Sequence, residues 1–232
     1  MAFDPVNIGA ATAAIGALGT ASFALVDALK TLPSGGISNT GYSFIEKAVQ
    51  AFFNGQTRKS ASGDIKRLFD TLHGNWINGT AIADQKAIAK SLIKLRLDAA
   101  TADTFARATD VDSTILRTVG NKMSNGTRLE PTEMNVLGRF DLALTAILDD
   151  GYQHADQRYR NSSKLAAMII ATILALAGGC ALAQGNFNSY LWSREMCLAA
   201  IAGLVATPLA PMSKDLASAL AAGVKVAQST KK

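Results

Sequence analysis

The sequence predicts an all-α integral membrane protein with about three transmembrane helices and a helical cytoplasmic domain between the first and the second. Residues 5–26, 165–193 and 196–213 contain no Asp, Glu, Lys or Arg, giving runs of 22, 29 and 18 residues. A helix needs roughly 20 apolar residues to cross about 30 Å of hydrocarbon. Charged residues are only 18% of the chain, against about 25% in a soluble domain. No stretch alternates apolar and polar residues as a half-buried strand does. The implied organisation is an N-terminal transmembrane helix over 1–30, a helical cytoplasmic domain over 31–163, a transmembrane hairpin over 164–213, and a C-terminal amphipathic helix with a basic tail over 214–232.

The first run, "NIGAATAAIGALGTASFALVDALK", is made mostly of Ala, Gly, Thr and Ser. Asp4 and Pro5 stand where a signal peptide carries Lys or Arg, so the segment is expected to stay in the mature protein. Gly9, Ala13, Ala17 and Ala21 form one row at i, i+4, and Thr12, Gly16 and Thr20 form the next. Small residues so arranged let helix backbones approach closely in lipid. Gly9, Ala13, Gly16, Ala17 and Thr20 are therefore the candidate packing residues, and a homo-oligomer is expected.

The second run opens "LAAMIIATILALAGGCALAQG", hydrophobic on all sides, as a spanning helix is. Cys180 and Cys197 lie in the second and third runs, at similar depth in a hairpin, and read as two small packed residues rather than a disulfide framework. The third run contains Pro208 and Pro211. Prolines remove backbone donors and clash with the preceding turn, so the helix is expected to end there, with Ser213 capping a new one and Asp215 in its first turn. Pro208, Pro211, Lys214 and Asp215 are thus a candidate membrane corner, and a gate hinge if the protein forms a pore.

Charge orients the chain. Of its 23 Lys and Arg residues, 18 fall within 30–164. The connection "NFNSYLWSRE" has Arg194 alone, and the tail carries Lys214, Lys225, Lys231 and Lys232. The positive-inside rule places the middle segment and the tail in the cytoplasm, and the N-terminus and the hairpin loop outside. Tyr190 and Trp192 suit the outer interface; Tyr152, Tyr159, Arg158, Arg160 and Lys164 suit the inner one, the three basic residues facing lipid head groups.

The middle segment reads as successive helices. Tyr42, Ile45, Val49 and Phe52 lie at helical spacing, with Asn54 and Gly55 as a stop. Ile65, Leu68, Phe69 and Leu72 mark a short second helix ended by "HGNWING", with the stop at Gly74 beside His73. Thr80 is the expected cap of a third, with Ile88, Leu92 and Leu95 toward a core. Lys86, Lys90 and Lys94 line another face, which reads as solvated, with anionic lipid or nucleic acid as the sharper alternative. "LEPTE" opens a helix with Pro131 in its first turn, and Met134, Leu137, Phe140, Leu144, Ile147 and Leu148 give its apolar stripe, which continues toward the membrane through "YQHADQRYRNSS".

"DVDST", Asp110 to Thr114, has the spacing of an aspartyl phosphatase nucleophile loop, a chemistry that needs a buried strand and Mg2+. The preceding "TFARAT" is no such strand, and Asp112 or Ser113 as an N-cap explains the residues with less. His73 and His154 have no second ligand at i+3 or i+4 for a metal; His154 sits between Asp150 and Arg158 on a helix beside the membrane. No catalytic, metal or cofactor-binding residue stands out and no cofactor is expected. The expected role is a non-enzymatic, multi-pass protein of the cell membrane that self-assembles as a scaffold. An oligomeric pore is the alternative, with Thr12, Thr20, Ser22 and Thr172 toward water, and a membrane-anchored phosphohydrolase comes third. The partners are membrane lipids and further copies of the chain; nucleic acid is not expected.

Overall fold

The computed structural model describes residues 5–29, 33–182 and 187–229, with side chains over 9–29, 36–182 and 188–211. Among these residues every regular element is helical. The order is α1 (Pro5–Leu29), a 3-10 turn (Pro33–Ser38), α2 (Asn39–Gln50), α3 (Gly63–Ile77), α4 (Ile82–Lys94), α5 (Ala102–Thr109), α6 (Ser113–Ser124), α7 (Pro131–Leu182), α8 (Phe187–Leu191) and α9 (Arg194–Ser229). The chain divides into two compact units. One holds Ser38–Tyr159, the other holds Met1–Ile37 and Arg160–Lys232, and α7 contributes to both.

The unit over Ser38–Tyr159 is built as a water-soluble domain is. Tyr42, Ile45, Val49 and Phe52 of the α2 region are buried, as their spacing predicts. Asn54 and Gly55 take left-handed backbone (φ 51° and 75°), which ends that segment where the "NG" pair predicts. Phe105 lies at the centre, edge-on to Phe52 and Phe53 and stacked on Phe140 at 6.0 Å. Helix α7 buries Phe140, Leu144, Leu148, Tyr152 and Ala155 along one stripe. At its start Pro131 is the first helical residue and the Glu133 carboxylate accepts from the Glu130 backbone N–H at 2.8 Å, one of the two bonds of a capping box.

Three local expectations are corrected. Helix α3 does not stop at Gly74 but runs to Ile77, because Trp76 is buried and its indole N–H donates to the Ser38 carbonyl at 2.6 Å. Helix α4 begins after Ala81 without a side-chain cap, and Thr80 serves instead through its carbonyl, which accepts from Gln85 Nε2 at 2.6 Å. The core face of α4 is Gln85, Ala89 and Ile93, while Leu95 is 84% exposed. The lysines take the neighbouring face. Lys86 reaches Asp149 at 2.6 Å, and Lys90 and Lys94 reach Asp141 at 2.6 and 2.8 Å, so the stripe that reads as solvated is a ladder of ion pairs joining α4 to α7.

The unit over 1–37 and 160–232 inverts this arrangement. Its buried residues are small: Gly16, Gly19, Ser22, Ala167, Ala171, Gly203, Ala206 and Thr207, with Val26 and Tyr190 the larger members. Its large apolar side chains point outward, including Leu165, Ile169, Ile173, Leu198, Ile201 and Leu204, each about half exposed or more. Two helices, Gly9–Leu29 and Pro131–Leu182, are long and apolar enough to cross a membrane. Helix α7 runs unbroken through "YQHADQRYRNSS", as its stripe predicts. The chain does not break at the prolines: α9 is continuous from Arg194 to Ser229 with Pro208 and Pro211 inside it. Both prolines are exposed. Only the carbonyls four residues back, Leu204 and Thr207, lose their helical donors.

Phe105→Ala is expected to destabilise the protein by about 3–5 kcal/mol, read by denaturant unfolding, whereas Leu95→Ala changes stability by less than about 0.5 kcal/mol. Asp70 accepts from Lys66 at 2.8 Å and Arg58 at 2.7 Å, and these bonds hold its carboxyl below the usual carboxylate range. A depressed carboxyl contributes stability that is complete above its unfolded pKa of about 3.9 and is lost as pH falls through the folded value. Asp70→Asn should remove that part of the acid limb of a pH–stability curve, a change of no more than about 1 kcal/mol for so exposed a pair.

Candidate functional site

The region that departs most from a soluble protein is the packed face of α1, α7 and α9. Helix α1 lies along α9. At their contact a Cβ on Gly19 would run into the Ala206 carbonyl and lie 2.8 Å from the Ala210 Cβ. A second contact joins α9 to α7, where a Cβ on Gly203 would collide with the backbone of Thr172. Both contacts bring backbone against backbone, the arrangement that small residues permit when lipid supplies no hydrophobic drive between helices.

Hydroxyls in this unit mostly bond within their own helix. Thr20 donates to the Gly16 carbonyl at 3.0 Å, Ser22 to Leu18 at 2.8 Å and Thr172 to Met168 at 2.9 Å. Such back-bonding satisfies a hydroxyl without water. Ser22 is fully buried, so it does not present its hydroxyl to a lumen. Cys180 is half-buried, Cys197 exposed, and both thiols are free.

The predicted packing residues separate. Gly16 is buried; Gly9 is half-buried with open space where its Cβ would be; Ala13, Ala17 and Thr20 are exposed. The face of α1 that packs within the chain is Gly16, Gly19, Ser22 and Val26, rotated from the Gly9–Ala13–Ala17 row. Sequence reasoning missed Gly19 and Gly203, because many small residues lie on every side of these helices and only the tertiary contact tells them apart. Arg158, Arg160 and Lys164 are all exposed on α7, just before its apolar run. Lys214 and Asp215 lie in the helical backbone of α9, and their side chains are outside the described residues.

The other sequence candidates have structural roles. Asp110 is the left-handed C-cap of α5, φ 52°, and Asp112 is the N-cap of α6, its carboxylate accepting from the Ile115 N–H at 2.9 Å. A helix–turn–helix thus stands where the phosphatase loop needs a strand. His73 bonds Asn39 Oδ1 at 2.8 Å and meets the Tyr42 ring edge-on; burial, with Arg58 adding to it, lowers its pKa. His154 stacks on Phe44 and approaches Asp150 at 3.3 Å. No cluster of His, Cys, Asp and Glu able to hold a metal occurs among the described residues. Comparison with protein-family models, with curated proteins and with solved structures finds no match for this chain.

Gly19→Ala and Gly203→Ala are each expected to lower the thermal midpoint of the detergent-solubilised protein, by the equivalent of about 1–3 kcal/mol of overpacking. Gly178→Ala, where the added methyl meets nothing within 4 Å, should leave the midpoint unchanged or raise it.

Proposed function

We propose that this chain is an integral protein of the cell membrane, without enzymatic activity, that crosses the bilayer three times and assembles with copies of itself in a structural or scaffold role. The observation that carries the reading is the inverted burial of the unit over 1–37 and 160–232. In water, exposed Ile169, Ile173, Leu198, Ile201 and Leu204 would make a costly contiguous patch. In hydrocarbon they cost nothing, and the small interior is what lipid-embedded helices use. Helix α9 supplies the third crossing. It packs along α1 and turns large apolar side chains outward as α7 does, and a helix so paired shares its neighbour's surroundings.

Orientation follows from 18 of the 23 basic residues lying within 30–164, which puts this segment on the cytoplasmic side. Arg158, Arg160 and Lys164 then meet anionic head groups at the inner leaflet. Self-association is assigned to α1. Ala10, Ala14, Ala17, Ala21, Ala24 and Ala28 are all exposed and recur at alternating steps of four and three, the spacing of a left-handed helix seam. Such a seam offers lipid little and a second helix close backbone approach.

The protein should stay with the membrane fraction through alkaline carbonate, and crosslinking in mild detergent should give species larger than the monomer. Ala17→Leu combined with Ala21→Leu should shift these toward monomer while carbonate resistance persists. Crosslinking that yields monomer alone would refute the assembly, and release by carbonate would refute the membrane assignment.

A further inference from the structure

Helix α2 runs antiparallel to α7 within the unit over Ser38–Tyr159. Gly41 lies against Ala155 and Gly151 against Ala48. A Cβ on Gly41 would run into the Ala155 carbonyl, and one on Gly151 would lie 2.6 Å from the Ala48 Cβ. Between them the two helices leave an open groove of about 670 Å3, whose lining includes Ala48, Ala51, Ala146 and Ile147. Ala51 and Ala146 are exposed, while Ala48 and Ile147 are half-buried. A floor of such small side chains lets a further helix approach closely.

The groove has one cationic and one anionic edge. Lys47 of α2 and Asp150 of α7 both line it and both are exposed, Asp150 with 75% of its side chain open. They stand at one level, because each adjoins a residue of the Ala48–Gly151 contact. No ion pair holds Lys47 among the described residues. Asp150 Oδ1 lies 3.3 Å from His154 Nδ1, which also bonds the Asp150 carbonyl at 3.0 Å. The lysines of α4, by contrast, are all paired within the unit.

This charge pattern and the helix directions identify the occupant. A two-fold axis along the groove sets α2 of one copy opposite α7 of the other and keeps every residue at its own level. Lys47 then meets the partner's Asp150, and the same pair forms a second time, as an isologous contact requires. Facing helices are antiparallel, as in an up-and-down bundle. A peptide of one charge would satisfy one edge and be repelled by the other. We propose that this groove is a homodimer interface, in which α2 and α7 of two copies form a four-helix bundle flanked by two Lys47–Asp150 ion pairs. The proposal rests on the self-assembly proposed above and gives it a surface separate from the α1 seam.

The test is disulfide trapping of the full chain in mild detergent, in a background of Cys180→Ala and Cys197→Ala. Ala51→Cys and Ala146→Cys, placed in separate chains with different tags and coexpressed, should form a disulfide heterodimer on mild oxidation. Lys47→Glu in both chains, or Asp150→Lys in both, should lower the yield about tenfold, since each turns two attractions per dimer into two repulsions. Lys47→Glu in the Ala51→Cys chain and Asp150→Lys in the Ala146→Cys chain should together restore it, because both contacts again join opposite charges. A variant that had lost its fold could not be rescued in this way. No disulfide, or a yield indifferent to the charge reversals, overturns the proposal. So does an Ala51→Cys thiol that maleimide cannot reach in the monomeric fraction, which would show the groove covered by another segment of the same chain. Amine crosslinking of the same samples separates the two readings. Species larger than the monomer without the disulfide overturn the groove proposal and leave self-assembly standing. A charge-sensitive disulfide with crosslinking unchanged by Ala17→Leu and Ala21→Leu overturns the α1 assignment alone, and monomer alone overturns both.

Discussion

Close backbone contact between helices without bulky side chains between them is the constraint on which the 1–37 and 160–232 unit depends. Gly19 against Ala206 and Gly203 against Thr172 set the distances of α1 and α7 from α9. Once the interior is made of Gly, Ala, Ser and Thr, the Leu and Ile residues of the same helices have nowhere to go but outward. The composition of the outer surface is thus a consequence of the interior contacts. Contacts of this kind supply van der Waals packing and close approach, the terms that hold helices together where the solvent gives no hydrophobic drive.

The unit over Ser38–Tyr159 obeys the opposite rule with the same element type. Phe52, Phe53, Phe105 and Phe140 meet in one aromatic cluster, and aliphatic side chains from α2, α3, α4 and α6 close around it. Charge is spent at the margin of this core rather than displayed. Lys86, Lys90 and Lys94 tie α4 to Asp141 and Asp149 of α7, and Lys122 ties α6 to Glu133. A basic stripe that could attract nucleic acid or lipid phosphate is neutralised within the unit by carboxylates about 50 to 60 residues away in sequence.

Much of the helical architecture was legible in the residues. The heptad-like stripe from Phe140 to Leu148, the "NG" stop after α2, Pro131 at the start of α7 and the Asp112 cap are local features, and local features act over one or two turns. What failed was rotation and length. Leu95 was expected inside and lies outside, because α4 ends at Lys94 and the face it buries is Gln85, Ala89 and Ile93. Gly74 was expected to end α3 and does not, because Trp76 two residues on is held by the Ser38 carbonyl. The Gly16–Gly19–Ser22–Val26 face that meets α9 was not singled out for the same kind of reason: small residues surround α1, and α9 chose among them.

The sequence by itself determined that this chain is helical, that two of its helices are long and apolar enough to cross a membrane, and that its basic residues collect in the middle. These follow from periodicity, run length and charge count, each a sum over residues that needs no partner. The tertiary structure alone decided which glycines touch a neighbour, that two prolines are carried inside one helix, and that the Tyr190 hydroxyl is buried without a bond among the described residues. Those are properties of pairs distant in the chain. A glycine is only a missing side chain until another backbone fills its place, and a hydroxyl is unpaired only once every nearby acceptor is known.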